Sequence, residues 1–145
     1  MSTDYHNSEI RFTYPDGWEV VENSSENGVT VNLQSPGSMF LFLTLYDKEF
    51  EPEELANQAL DAMREEYPEL DSCPISETIA DQPAIGHDVN FISLDLTNTC
   101  WIRAFSSIQR TVLIFAQTND MELEADEQVF QSICASLRLA EHARL

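Results

Sequence analysis

Three stretches of this chain are apolar on both parities of a two-residue repeat, and a sheet can hold such strands only in its middle. Phe40-Leu41-Phe42-Leu43-Thr44-Leu45-Tyr46 carries large apolar side chains at odd and even positions alike. In 99–108, Trp101 and Phe105 oppose Ile102 and Ala104; in 110–118, Val112 and Ile114 oppose Leu113 and Phe115. Successive strand side chains point to opposite faces, so each stretch needs cover on both. Leaving a second face of three strands wet would cost about 25 cal/mol for every Å² exposed. The three are therefore expected as neighbours at the centre of a sheet, with a helix on each face.

Two segments can supply that cover. From Pro52, a good first residue for a helix, residues Leu55, Ala56, Ala59, Leu60, Met63 and Tyr67 fall on one arc at about 100° per residue. This predicts a helix over 52–67, ended by Pro68. Val129, Phe130, Ile133, Cys134 and Leu137 share an arc of a second helix over 122–138, with Asn119 or Asp120 available to cap it.

The remaining strands alternate. Residues 10–14 and 18–22 flank Pro15-Asp16-Gly17, a turn sequence, and read as a hairpin. Residues 29–34, 73–80 and 85–94 complete the set, with turns at 35–37 and 81–83. Short turns between successive strands imply antiparallel pairing. Residues 1–9 read as a disordered tail, 10–139 as a single domain and 140–145 as a loose tail.

Charge narrows the partners. The 145 residues hold 26 acidic and 7 basic side chains, a formal net charge of −19. Such a surface repels phosphate backbones and anionic membranes, so neither nucleic acid nor membrane is expected as a partner. Solubility or a salty habitat accounts for the charge; the sharper reading is a basic protein partner. The opening residues lack a basic segment and an apolar run, so no secretory signal is expected, and the location expected is the cytoplasm. Cys73, Cys100 and Cys134 are odd in number and widely spaced. They read as three buried small hydrophobes in a reducing compartment.

No catalytic, metal or cofactor site is expected. His6, His87 and His142 have no metal-ligand spacing, and no CxxC, phosphate-binding glycine loop or serine elbow occurs. His87 and Asp88 are adjacent on a strand, point to opposite faces and cannot form a dyad. Cys100 has only Arg103 close by to lower its pKa. The aromatics Phe40, Phe42, Trp101, Phe105 and Phe115 read as core beneath one helix per face. The alternative places both helices on one face and leaves an apolar sheet surface for a partner or a second subunit.

Phe12-Thr13-Tyr14-Pro15-Asp16-Gly17-Trp18 resembles the F-x-Y-P-x-x-W opening of the PsbP-like superfamily. Val31-Asn32-Leu33-Gln34-Ser35-Pro36 resembles the strand and turn that follow, Pro83-Ala84 a mid-chain marker, and Phe130-x-x-Ile133-x-x-Ser136-Leu137 the closing helix. The likeness runs over about 10–139. It implies an α+β fold, a three-layer α/β/α sandwich with a central antiparallel sheet of about six to eight strands and two main helices. Its members include a photosystem extrinsic subunit, a Ran-binding import factor, periplasmic lipoproteins and chaperones of bacterial effectors, which implies binding rather than catalysis. No lipobox, transit peptide or signal peptide is expected from these residues, and no partner-binding residue of the family maps onto them.

The leading expectation is therefore a non-catalytic protein-binding module, an adaptor or chaperone, as monomer or homodimer. The alternative is a small-molecule or lipid carrier with an apolar pocket between sheet and helix; an enzyme comes third. The candidate contact is the acidic stripe of Glu54, Asp61, Glu65 and Glu69 on and just past the first helix, placed to steer a basic partner.

Overall fold

The computed structural model describes residues 1–140. In chain order the elements are β1 (Ser2–His6), β2 (Ile10–Pro15), β3 (Glu19–Ser25), β4 (Gly28–Gln34), β5 (Phe40–Tyr46), α1 (Pro52–Glu66), β6 (Asp71–Ile79), β7 (Gln82–Ser93), β8 (Leu96–Ser107), β9 (Arg110–Asn119), α2 (Leu123–Ser136) and β10 (Arg138–Leu139). A seven-stranded sheet runs β3-β4-β5-β9-β8-β7-β6, and a small sheet runs β1-β2-β10. Every pairing is antiparallel. The main sheet is two meanders, β3-β4-β5 and β6-β7-β8-β9, linked by α1 and joined through β5 and β9.

The strands apolar on both parities, β5, β9 and β8, are neighbours at its centre, and the helices lie on opposite faces. Against one face α1 packs Ala56, Leu60 and Met63 on Val89, Phe91, Cys100, Ile102, Ala104 and Leu113. Tyr67 stacks on Phe91 with ring centroids 4.2 Å apart. Against the other, α2 packs Phe130, Ile133, Cys134 and Leu137 over Leu41, Leu43, Val112, Ile114, Trp101 and Phe105. Phe130 stacks on Trp101 at 4.9 Å.

The small sheet shares this second face with α2. Ile10 and Phe12 of β2 are buried in the same core, each worth about 1.5–3 kcal/mol on burial. The amide of Thr13 donates to Ser136 Oγ at 2.9 Å, fixing β2 to the end of α2.

Several expectations need correction. Segments 10–14 and 18–22 do not form a hairpin: β2 pairs with β1 and β10, and β3 with β4. The 1–9 segment expected as a disordered tail carries β1 instead. Asn7 Oδ1 accepts the amides of Glu9 and Ile10 at 2.7 and 2.9 Å and so builds the β1–β2 turn. Tyr5 then stacks on Phe12 at 5.1 Å and donates its hydroxyl to the Glu22 carboxylate on β3. Of the tail expected over 140–145, Ala140 donates its amide to Glu9 O at 2.8 Å, and 141–145 lie outside the described residues.

The cap of α2 is also different. The residue before it is Glu122, without a side-chain cap, while Asn119 Oδ1 accepts the amide of Met121 and Asp120 Oδ1 accepts Thr99 Oγ1. The turn expected at 81–83 is Ala80-Asp81, both at positive φ, and Gln82-Pro83 already belong to β7.

Candidate functional site

The acidic stripe sits where the helical arc put it. Glu54, Asp61 and Glu65 of α1 and Glu69 beyond it are all exposed. Arg64 bridges to Asp61 at 3.7 Å, an exposed pair worth about 0–1 kcal/mol. The stripe can present charge; it holds nothing in a fixed geometry.

The chemistry-bearing side chains separate rather than converge. His87 and Asp88 do point to opposite faces. His87 Nε2 meets Asn57 Oδ1 of α1 at 2.8 Å, and desolvation holds its pKa below the usual value, with the Arg64 and Arg103 charges adding to the effect. Asp88 turns to the α2 face and accepts Arg103 Nη2 at 2.8 Å. Cys100 and Cys134 are buried, and burial pushes both thiols up, Cys134 to about 12, which makes them inert packing groups. Cys73 departs from the expectation of three buried cysteines: it is exposed on β6, an edge strand.

Arg103 is the polar centre that spacing did not reveal. It is 5% exposed, in the middle strand of the β9-β8-β7 trio. Its Nε donates to Glu77 at 2.5 Å, Nη2 to Asp88, and Nη1 to the carbonyls of His87 and Ile102. The guanidinium carbon lies 5.7 Å from the centroid of Phe130. Burial pulls the Arg103 pKa down, and the hydrogen bonds to Glu77 and Asp88 more than reverse that. Gly86 makes room opposite: a β-carbon there would sit 1.7 Å from Ile102 O and 3.0 Å from Arg103 Cα. The cleft beside this cluster, between α2 and the sheet, holds about 190 Å³ and is lined by Glu77, Asp88, Arg103 and Glu127 among others. Arg103, Glu77 and Asp88 are paired within it, while Glu127 is exposed, so the cluster ties α2's side of the sheet to β6 and β7.

Two surfaces stand apart from the acidic background. On the face that carries α1, the helix packs chiefly on β7, β8 and β9, and Tyr46 at the end of β5 joins its cluster. A cross-strand row, Val21–Asn32–Phe42–Phe115, runs across the bare part in register. Phe115 stacks on Phe42 at 4.9 Å and on Phe40 at 6.2 Å. Trp101 and Phe105 are core, as expected, whereas Phe40, Phe42 and Phe115 are only half-buried. Apart from Glu19 at the edge, the cross-strand rows of this strip through β3, β4 and β5 carry Val, Asn, Ser, Thr, Gln, Gly, Phe and Tyr and no charge.

The second surface is the tip of the β7–β8 hairpin. Ile92, Leu94 and Leu96 are 73%, 93% and 39% exposed. The two-residue turn is Leu94-Asp95, at φ 53° and 64°. That is the type I′ pattern, which asks for Asn-Gly. With no Gly or Asn there, nothing in the sequence flags the turn.

Likeness to solved structures now decides the fold. The solution structure of cyanobacterial PsbP (CyanoP) from Synechocystis matches with a TM-score of 0.69 over 96% of this chain and 92% of that one, at 10% identity. The fold is PsbP-like. LpqN of Mycobacterium tuberculosis, described as involved in cell envelope biogenesis, matches at TM-score 0.64 and 13% identity, over 97% of this chain and 91% of its own. A Pseudomonas aeruginosa protein of unknown function, PA94, described as a putative regulator, matches at 0.55 and 10% identity over 99% of both. No family model matches the chain, and no curated protein matches it in sequence. The PsbP-like architecture thus persists here on a sequence about nine-tenths different from these neighbours. No described helix is long and apolar enough to cross a membrane.

Proposed function

We propose that this chain is a non-catalytic protein-binding module. The observation that carries the reading is the half-bare sheet face, a strip whose one charge through β3, β4 and β5 is Glu19 at the edge, with three half-buried phenylalanines stacked through Phe115, on a chain of net charge −19. A surface nearly free of like charge is the part of so acidic a molecule that a partner can cover without desolvating unpaired carboxylates. Each face is filled by its own packed cluster of buried side chains, and the cleft between α2 and the sheet is lined by the Arg103–Glu77–Asp88 ion pairs and Glu127, which favours protein binding over an apolar carrier pocket.

The acidic stripe of Glu54, Asp61, Glu65 and Glu69 has a subsidiary part in this reading. It speeds the approach of a basic partner more than it tightens the final complex. The test is affinity capture from the native host with three proteins, the partner identified by mass. Asn32→Arg sets a charge beside Phe42 in the strip and should lose the partner that the unaltered chain retains, with thermal stability unchanged. Asp61→Lys with Glu65→Lys should slow capture several-fold at low salt and matter little at 1 M, where the Debye length is about 3 Å. Equal retention by Asn32→Arg refutes the strip, and equal rates at low salt leave the stripe a solubility feature.

A further inference from the structure

We infer that the β7–β8 tip is a docking finger for a partner protein that offers an apolar pocket with a basic rim. This deepens the protein-binding reading and rests on it, but uses a different surface.

The hairpin outruns its neighbours. Pairing with β6 stops at Asn90 and pairing of β8 with β9 stops at Asn98; Phe91 still lies under Tyr67 and Thr97 O still accepts the Asp120 amide, so 92–96 project beyond both neighbours. On that projection the chain places Ile92, Leu94 and Leu96 in water. The backbone does not demand it. The β6–β7 turn adopts the same conformation with Ala80-Asp81, at φ 52° and 63°. A left-handed conformation tolerates a branched bulky residue less well than Gly or Asn. Leucine at 94 therefore costs backbone energy and yields no packing within the chain, the pattern expected of a side chain kept for an external contact.

Charge defines the partner. Asp95 sits on the tip, Asp71 begins β6 opposite Asn90, and the amide of Asp120 bonds Thr97 O. Glu69 precedes Asp71 at the same end of the sheet. Among the described cations, Arg64 is the one tied to this end, through Ser72. Arg103 is neutralised between Glu77 and Asp88, Arg110 pairs with Glu9, Arg11 faces Arg138 across β2 and β10, and the Lys48 carbonyl bonds Thr111 at the opposite end of β9. An apolar finger ringed by carboxylates fits a pocket that is apolar inside and lined with Lys or Arg at its mouth. The same ring disfavours an anionic lipid surface.

The experiment places a benzophenone side chain at position 94 and, separately, at position 21 in the bare strip, and crosslinks each full-length protein in its native cells. The expected result is a position-94 adduct to a partner protein whose crosslinked peptide is apolar and flanked by Lys or Arg. Ile92→Ser with Leu96→Ser should cut that adduct about tenfold or more, the loss expected when anchoring side chains are truncated, and leave thermal stability unchanged. A protein adduct from position 21 alone overturns the finger and leaves the protein-binding reading standing. Adducts from position 94 only to lipid, or only to a second copy of this chain, also overturn it. No protein adduct from either position overturns both.

Discussion

Removing the charge of Arg103 should cost less than removing its partners. In Arg103→Met the apolar chain still lies against Phe130, and the two carboxylates left behind, Glu77 at 38% and Asp88 at 35% side-chain exposure, can turn to water. In Glu77→Gln with Asp88→Asn the guanidinium stays, its side chain 6% exposed, with no counter-charge. Breaking a buried pair so that a buried ion is left typically costs about 3–5 kcal/mol, because that charge is uncompensated; Arg103→Met leaves only carboxylates that water can reach, so this penalty is largely avoided. Arg103 also gives up bonds to the His87 and Ile102 carbonyls, so Arg103→Met is expected to cost up to about 2 kcal/mol. The double carboxylate variant should cost about 3–5 kcal/mol and, at this chain length, lower Tm by about 2–4 °C for each kcal/mol. Urea titrations of the three proteins, with m unchanged, measure the difference. An Arg103→Met loss equal to or larger than that of the double variant refutes the reasoning, and would mean that the guanidinium's hydrogen bonds, not the desolvation of its charge, dominate the cluster.

Two more expectations follow from single elements. Replacing Leu94-Asp95 by Asn-Gly should raise stability by about 1 kcal/mol, read as a higher urea midpoint, and should abolish the position-94 contact's function in the same protein; an unchanged or lower midpoint shows that the turn carries no strain. Because desolvation lowers the folded pKa of His87, the unfolded chain binds the extra proton first, so this residue's stability contribution is complete above about pH 6.5 and is lost as pH falls through its depressed folded value. His87→Gln should therefore lose less stability than the unaltered chain between neutral pH and pH 5, and parallel pH–stability curves would exclude that role.

The centre of the fold was legible because its signal is redundant. Two-sided strands such as Phe40–Tyr46 admit one kind of position, and an arc such as Ala56, Leu60 and Met63 admits one kind of element. What sequence could not give is how far each cover extends. The same alternation that put Phe42 in a central strand says nothing about α1 packing chiefly on β7, β8 and β9. Strand β1 was hidden because its anchors, Tyr5 on Phe12 and Asn7 on its own turn, are single residues without periodicity. The false hairpin at Pro15-Asp16-Gly17 has a physical reason too. The turn chemistry there is sound, but β2 leaves the plane to roof α2 and β3 takes β4 instead. The Arg103 cluster joins residues 77, 88 and 103 from three strands, a contact that no local spacing encodes.

The join between β5 and β9 has a kinetic consequence. Within each meander, strands find partners close by in the chain, but the join brings Tyr46 to Thr111 and Phe40 to Gln117, at sequence separations of 65 and 77 residues. Loop-closure entropy must be met there before any contact repays it, so non-local pairings of this kind set the pace of folding. The hairpins can come and go while the two halves remain separate. Only when β5 lies down beside β9 does the sheet acquire its middle, and with it the buried face on which α2 depends. Until then Leu41, Leu43 and Phe42 on one side, and Val112, Ile114 and Phe115 on the other, stand as open strand edges, and a chain held in that state pairs with its neighbours in solution. The heavy negative charge then has a use before the native state exists, since it keeps unfinished copies apart while each closes its own seam.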